Sequence, residues 1–88
     1  MARSRRQRPW ERISGGETRN VGFTEFCRLI EAFGFSLRRV SGSHHIYVHA
    51  AVPRPLSLQP RGGEAKPFQV RQFLEMVEEF GLTMEQRP

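Results

Sequence analysis

The chain has 88 residues, with 14 lysines and arginines against 9 aspartates and glutamates, which gives a formal net charge of +5. This length allows one domain with a small core, whose stability would benefit from a partner protein covering one face. The single cysteine excludes an internal disulfide and a cysteine-cluster metal site, and no apolar run is long enough to span a membrane.

The N-terminal region, residues 1–20, is polar and basic, with six arginines. We predict that it is a flexible extension, disordered over residues 1–8 and loosely attached over residues 9–20 through Trp10. It lacks the apolar segment of a signal peptide, so we expect a cytoplasmic protein. The folded domain is predicted over residues 21–84.

Two amphipathic helices flank the centre of the predicted domain. Residues 23–35, FTEFCRLIEAFGF, repeat apolar side chains at helical spacing, and Gly34 can end the helix in a left-handed turn. Residues 67–82, PFQVRQFLEMVEEFGL, show the same pattern, with Pro67 suited to the first turn and Gly81 to the stop. The cysteine lies on the apolar stripe of the first helix, which is typical of a small core residue rather than a nucleophile.

Three short strands are predicted between the helices: 36–40 (SLRRV), 44–50 (HHIYVHA) and 56–60 (LSLQP). Residues 41–43, SGS, have turn chemistry, and the two prolines within residues 52–55 should break the second strand. Strands joined by short turns form an antiparallel meander. The order of elements therefore predicts an α+β fold, αβββα, in which both helices pack on one face of a three-stranded antiparallel sheet.

The faces of the second strand are predicted from the alternation of its side chains. Ile46 and Val48 are its apolar pair, so we expect them to face the helices. The opposite, open face would carry three residues: His45, Tyr47 and His49. His44 has the parity of the core face, but it can lean out to solvent beside the turn. The residues expected to be buried are Ile46, Val48, Leu56, Leu58, Phe73, Leu74 and Val77.

The second strand thus holds three histidines, which raises the question of a metal site. Distance argues against one, because His45 and His49 lie four residues apart in the sequence, about 13 Å at about 3.3 Å per residue. His44 and His45 point to opposite faces. We therefore expect no metal and no other cofactor.

A histidine can instead act as a proton acceptor, because a neutral imidazole takes up a proton near physiological pH. RNA supplies its own nucleophile in the 2′-hydroxyl group, so one base beside a bound phosphate could promote strand scission without a metal. The alternative for His49 and Tyr47 is an ordinary polar face of an open sheet. For His44 it is a strand-start residue bonded to the turn.

Residues 36–71 are strongly basic. They carry one acidic residue, Glu64, against six basic residues: Arg38, Arg39, Arg54, Arg61, Lys66 and Arg71. Guanidinium groups suit phosphate, so this region favours a polyanion, although a solvated basic surface has the same composition. Arg38 and Arg39 alternate faces on a strand, so at most one is expected to contact such a ligand directly.

Three stretches taken together closely resemble the HicA toxin family, also described as YcfA-like: GFSLRRVSGSHHIYVH (34–49), LSLQP (56–60) and EAKPFQVRQFLEMVEEFGL (64–82). The hallmarks are a G-F pair ending the first helix, an R-x-x-G-S-H-H-x-Y hairpin and a K-P pair leading into the last helix. The resemblance extends over residues 22–82, and its joint spacing is specific.

The resemblance implies a double-stranded-RNA-binding-like αβββα fold, which agrees with the predicted elements. It implies the toxin of a type II toxin–antitoxin pair, a metal-independent endoribonuclease that cleaves mRNA and inhibits translation. Its partner would be a HicB-type antitoxin protein that covers the histidine and the RNA-facing surface.

The catalytic residue implied by the resemblance is the histidine of the G-S-H turn, His44. In some members it lies one position later, which makes His45 the second choice. Gly42 and Ser43 would shape the turn at the RNA. The basic residues expected to contact RNA phosphates are Lys66, Arg38 and Arg39.

Two other functions fit the same chain. A non-catalytic RNA-binding module would use the same fold and basic surface, and it would retain labelled RNA without cutting it. A protein-binding subunit would use the acidic C-terminal helix, and it would lack RNA affinity at every salt concentration.

Overall fold

A computed structural model describes residues 7–84, with side chains from residue 9 onward. The elements in this range are α1 (Gln7–Ser14), α2 (Phe23–Ala32), β1 (Ser36–Ser41), β2 (His44–His49), β3 (Val52–Leu58), β4 (Pro60–Arg61), β5 (Glu64–Ala65) and α3 (Pro67–Phe80). The predicted αβββα order is confirmed by α2, the strands β1 to β3, and α3. Helix α1 and the β4–β5 hairpin add to it. No helix in the described range is long and apolar enough to cross a membrane.

The central sheet is antiparallel, with strand order β1-β2-β3. Helices α2 and α3 pack against each other, because the ring of Phe73 lies 5.6 Å from that of Phe26 and 5.3 Å from that of Phe33. The hydroxyl of Tyr47 in β2 donates a hydrogen bond to Glu31 in α2, at 3.1 Å. The predicted packing of both helices on one face of the sheet is confirmed.

The buried face of β2 is the opposite of the one predicted. Tyr47 is 2% exposed, whereas Ile46 and Val48 are half-buried and line the open face. A tyrosine ring buries more apolar area than either aliphatic side chain, and its hydroxyl reaches a carboxylate at the rim of the core. The predicted orientation of β2 is wrong for this reason. His45 and His49 turn inward with Tyr47.

The remaining core predictions are confirmed in part. Leu56, Leu58 and Phe73 are fully buried. Leu74 and Val77 are half-buried and pack against the edge of the core, because they flank the inward stripe of α3. That stripe consists of Gln69, Val70, Phe73 and Met76.

Strand β3 includes residues 52–55, which were predicted to break the second strand and to lie before the third. It begins at Val52 and lies at an edge of the sheet, paired with β2 alone. An edge strand tolerates Pro53 and Pro55, because one of its sides makes no ladder hydrogen bonds. Strand β2 does end before these residues, at His49, but the predicted start of the third strand at residue 56 is wrong. Pro60, assigned to the third strand from sequence, begins the β4–β5 hairpin instead.

Helix α1 belongs to the packed structure. Ile13 is fully buried. The indole of Trp10 lies 4.8 Å from the ring of Phe33 and 6.4 Å from that of Phe73. Trp10 therefore attaches this region to both long helices.

Sequence periodicity did not predict α1, because a helix of eight residues with two apolar anchors is too short to show a convincing period. The disorder predicted for residues 1–8 falls mostly on residues 1–6, which lie outside the described residues. The boundary of the folded domain after residue 20 stays a prediction.

The burial of Ile13 predicts that α1 contributes to stability. Ile13→Ala should lower the free energy of unfolding by about 2–5 kcal/mol, because it leaves a cavity in the core. Urea unfolding followed by circular dichroism measures this loss. The matched control is Ser14→Ala, at an exposed position, which should change the free energy by less than about 0.5 kcal/mol. Equal stabilities of Ile13→Ala and the wild type would show that α1 lies outside the core.

Tyr47 also confers a pH dependence on stability. Burial raises the pKa of the Tyr47 phenol above its ordinary value, and the neighbouring Cys27 and Glu31 raise it further. In the unfolded chain the phenol ionises near its usual pKa of about 10. The folded state keeps the proton to higher pH. The contribution of Tyr47 is therefore fully present below about pH 10 and is lost as the pH rises beyond it.

Tyr47 is the only tyrosine of the chain, so the absorbance of tyrosinate reports on this group alone. We expect tyrosinate to form at higher pH in the folded protein than in urea. The free energy of unfolding should fall above about pH 10 in the wild type and less steeply in Tyr47→Phe. Coincident titration curves in buffer and in urea would contradict this account of Tyr47.

Candidate functional site

The β1–β2 turn presents His44 to solvent. Gly42 adopts a positive φ of 60°, which suits the tight reversal that pairs Ser41 with His44. Because side chains alternate along β2, His44 lies on the open face with Ile46. His44 was predicted to have the position of a core-facing residue that leans out to solvent. The structure corrects this, because its position in β2 already points the side chain away from the helices. The exposed imidazole makes no hydrogen bond within residues 7–84.

His49 is a structural residue. Its Nδ1 accepts a hydrogen bond from the amide of Ala51 at 2.9 Å. Nε2 therefore carries the ring proton and donates a hydrogen bond to the carbonyl oxygen of Phe33, also at 2.9 Å. Both ring nitrogens are occupied, so His49 has no capacity left for catalysis. Among the described residues, no group of three histidine, cysteine or carboxylate side chains is placed to hold a metal ion.

His45 lies between these two extremes. It is half-buried, its Nδ1 lies 3.2 Å from the carbonyl of Ser43, and its ring packs edge-on against Phe23 at 5.0 Å. These contacts hold the imidazole against the N-terminal end of α2. His44, by contrast, has both ring nitrogens available to a ligand.

A chain of hydrogen bonds ties the turn to Lys66. Nε2 of Gln59 donates to Ser43 Oγ at 2.9 Å, and Lys66 Nζ donates to Oε1 of Gln59, also at 2.9 Å. The backbone amide of Gln59 donates to the buried side chain of Gln69 at 3.0 Å, which anchors the network on α3. The structure thus links two predicted site residues, Ser43 and Lys66, at the turn that directly precedes His44.

Gln59 is a site residue that the sequence pattern did not reveal. In the sequence it is one polar residue at the end of an alternating strand, and its partners lie 16 and 7 positions away. Hydrogen bonds over such separations depend on the tertiary fold. The signal that could have drawn attention to Gln59 is its place in LSLQP, one of the three stretches that carry the family resemblance.

Positive charge gathers around Lys66. It is the residue before α3, whose first amide groups give that end of the helix a partial positive charge. Beside it, a depression of about 220 Å³ is lined in part by Arg61, Glu64 and Lys66, two cations against one carboxylate. The surroundings of Lys66 therefore carry a net positive charge.

Arg38 and Arg39 do not alternate faces as predicted. The β1–β2 register shifts between Leu37 and Arg39, which makes Arg38 the extra residue of a β-bulge. Both arginines line one depression of the open face. The premise of alternating faces is therefore wrong, since a bulge cannot be read from a regular alternation, and the number of arginines that contact a ligand stays a prediction.

Cys27 is not a nucleophile. Its side chain is half-buried and packs against the core. Burial raises the pKa of the Cys27 thiol, whereas a reactive cysteine needs a lowered pKa. The prediction of a small core residue agrees with this environment.

These features define a class of protein, a small basic αβββα domain that presents an unbonded histidine directly after a tight turn, with the turn hydrogen-bonded through Gln59 to a lysine. The chain belongs to the HicA toxin family, since the family model described as the HicA toxin of bacterial toxin–antitoxin matches residues 23–78, more than half of its length. No curated protein and no solved structure gave a significant match. The matched residues include the turn, Gln59 and Lys66, while α1 lies outside them.

Proposed function

We propose that the chain is the toxin of a type II toxin–antitoxin pair and acts in the cytoplasm as a metal-independent endoribonuclease. It would bind and cleave mRNA and so inhibit translation. The observation that carries the proposal is the exposed, unbonded His44, on a turn that Gln59 connects to Lys66. Membership of a toxin family supports the same function.

The proposed reaction uses groups of the RNA and one histidine. His44 takes the proton of a 2′-hydroxyl, whose oxygen attacks the adjacent phosphorus atom. A bond forms between the 2′-oxygen and phosphorus, and the bond from phosphorus to the 5′-oxygen breaks. The leaving 5′-oxygen takes a proton from water. Lys66 would stabilise the negative charge that develops on the phosphate.

The runner-up is a non-catalytic RNA-binding module of the same fold. It is favoured by one observation: within residues 7–84, no second side chain hydrogen-bonds to His44 to orient it, as catalytic histidines commonly require. Labelled RNA incubated in EDTA discriminates the two functions. Scission indicates the enzyme, and retention without scission indicates the module.

The proposed partners are mRNA and a HicB-type antitoxin protein. Three large apolar side chains are exposed on the described surface: Leu37 at 46%, Val40 at 52% and Phe68 at 55%. Burial of such side chains stabilises a protein–protein complex. An antitoxin that covers the turn and its surroundings would bring them out of water.

His44→Ala should reduce cleavage by about two to four orders of magnitude, because it removes the proton acceptor. Its stability should change by less than about 1 kcal/mol, since the side chain is exposed and unbonded. Gel analysis of labelled RNA measures the first effect, and thermal unfolding measures the second. The variant should still bind RNA and antitoxin.

His45→Ala is the control for the neighbouring histidine. It should retain most of the cleavage activity but lose some stability, because it removes the contact with Phe23. Normal cleavage by His44→Ala together with loss in His45→Ala would move the base to His45. Full activity of both variants would refute the histidine mechanism for this chain.

The salt dependence of RNA affinity should distinguish the role of Lys66, a phosphate contact, from that of Gln59, which positions the lysine. Lys66→Ala should flatten the log–log plot of RNA affinity against salt by about 0.7, the value of one phosphate contact on a single strand. Gln59→Leu keeps every charge, so it should leave that slope unchanged while lowering cleavage by about tenfold through a misplaced lysine. Fluorescence anisotropy in a salt series gives the slopes. An unchanged slope in Lys66→Ala would remove Lys66 from the RNA contact.

A further inference from the structure

We propose that a single-stranded segment of the RNA, next to the phosphate at His44, binds in a groove on the open face of the sheet. The groove has a volume of about 390 Å³ and is lined in part by Arg38, Arg39, Arg54, Ile46 and Val48. This volume lies within the range of small-ligand sites, about 300–1,000 Å³. The inference rests on the proposed function and extends the substrate-binding site beyond the turn.

Two irregularities of the sheet create the groove. The register of β1 shifts between Leu37 and Arg39, and the pairing of β2 with β3 shifts between Tyr47 and His49. The first bulge turns two consecutive arginines toward the same depression. Bulges commonly re-aim side chains next to functional sites. Both register shifts lie at the same basic groove. Regular strands would instead place Arg38 and Arg39 on opposite faces.

The groove is basic without a neutralising carboxylate in its lining. Arg38 and Arg39 are exposed and make no hydrogen bond or ion pair within the described residues. Arg54 is held at the rim, where its guanidinium lies 5.6 Å from the centre of the Phe80 ring and donates to Glu79 at 3.1 Å. The two unpaired guanidinium groups, with Arg54 paired to Glu79 at the rim, leave the depression positively charged and favour phosphates.

The floor of the groove is apolar. Ile46 and Val48 are half-buried there, and Pro53 and Pro55 stand at its side on the edge strand. Apolar side chains and guanidinium planes both accept the flat faces of unpaired bases. An acidic peptide would use the arginines but would leave this floor less well filled. We therefore assign the groove to single-stranded RNA.

His44 and the groove lie on one continuous surface. Ile46 is two residues along β2 from His44 and points to the same face, about 7 Å away. A phosphate backbone that passes His44 can therefore continue into the groove without leaving the sheet.

The test compares two double variants with the same loss of charge. Arg38→Gln with Arg39→Gln changes the groove, and the helix variant, Arg19→Gln with Arg28→Gln, changes exposed arginines before and within α2, outside the basic region 36–71. RNA binding is measured in a His44→Ala background, so that the oligonucleotide stays intact. The groove variant should flatten the log–log salt plot by about 1.4, two single-strand phosphate contacts, and the helix variant by much less.

Cleavage kinetics in the chain with His44 intact provide the second readout. The groove variant should raise KM by about tenfold and leave kcat nearly unchanged, because these contacts bind substrate away from the reacting bond. Equal slopes and equal KM values in the two double variants would overturn the groove while leaving the ribonuclease intact. Weaker binding to antitoxin with unchanged RNA binding would also overturn it. A wild-type chain that neither binds nor cuts RNA would overturn the proposed function itself.

Discussion

The burial of Tyr47 is the constraint on which the rest of the site depends. Its ring fills the core beneath α2, and its hydroxyl bonds to Glu31. Side chains of a strand point alternately to its two faces. The inward direction of Tyr47 therefore fixes which face each of the remaining side chains of β2 points to. His45 and His49 follow it inward. A shift by one residue would bury His44 and expose Tyr47.

The outward residues of β2 acquire their surroundings from neighbouring elements. The β1–β2 turn leaves His44 unbonded, while Gln59 connects Ser43 to Lys66 through two hydrogen bonds of 2.9 Å. A pair of such bonds contributes stability of about 1–3 kcal/mol in total. Their larger consequence is positional, because they tie the ammonium group of Lys66 to the turn that precedes His44.

The sequence was sufficient for the features that rest on local chemistry. Helical periodicity and the stops at Gly34 and Gly81 predicted α2 and α3, and the SGS turn predicted the hairpin that carries His44. The joint spacing of the hairpin and the K-P pair indicated the family, which the match over residues 23–78 confirms. These signals lie within short segments, so they do not depend on distant contacts.

Features that depend on tertiary context were missed. A two-residue period defines two faces of β2 but does not say which is buried. The prediction that Ile46 and Val48 face the core underestimated the apolar area that the Tyr47 ring buries. Pro53 and Pro55 lie within β3 because an edge strand tolerates proline. The edge position of β3 follows from the whole sheet, so the sequence did not reveal it. The bulge at Arg38, the packing of α1 and the bonds of Gln59 likewise need the assembled fold.

The central proposal is that this small domain cuts RNA through the RNA's own 2′-hydroxyl with one histidine as the base. The most direct measurement uses a labelled oligonucleotide that the chain cuts, and a copy methylated on the 2′-oxygen at the cleaved position, both in EDTA. The account predicts scission of the unmodified strand and none of the methylated strand, with similar binding of both. Cleavage of the methylated strand, or a requirement for a metal ion, would contradict it.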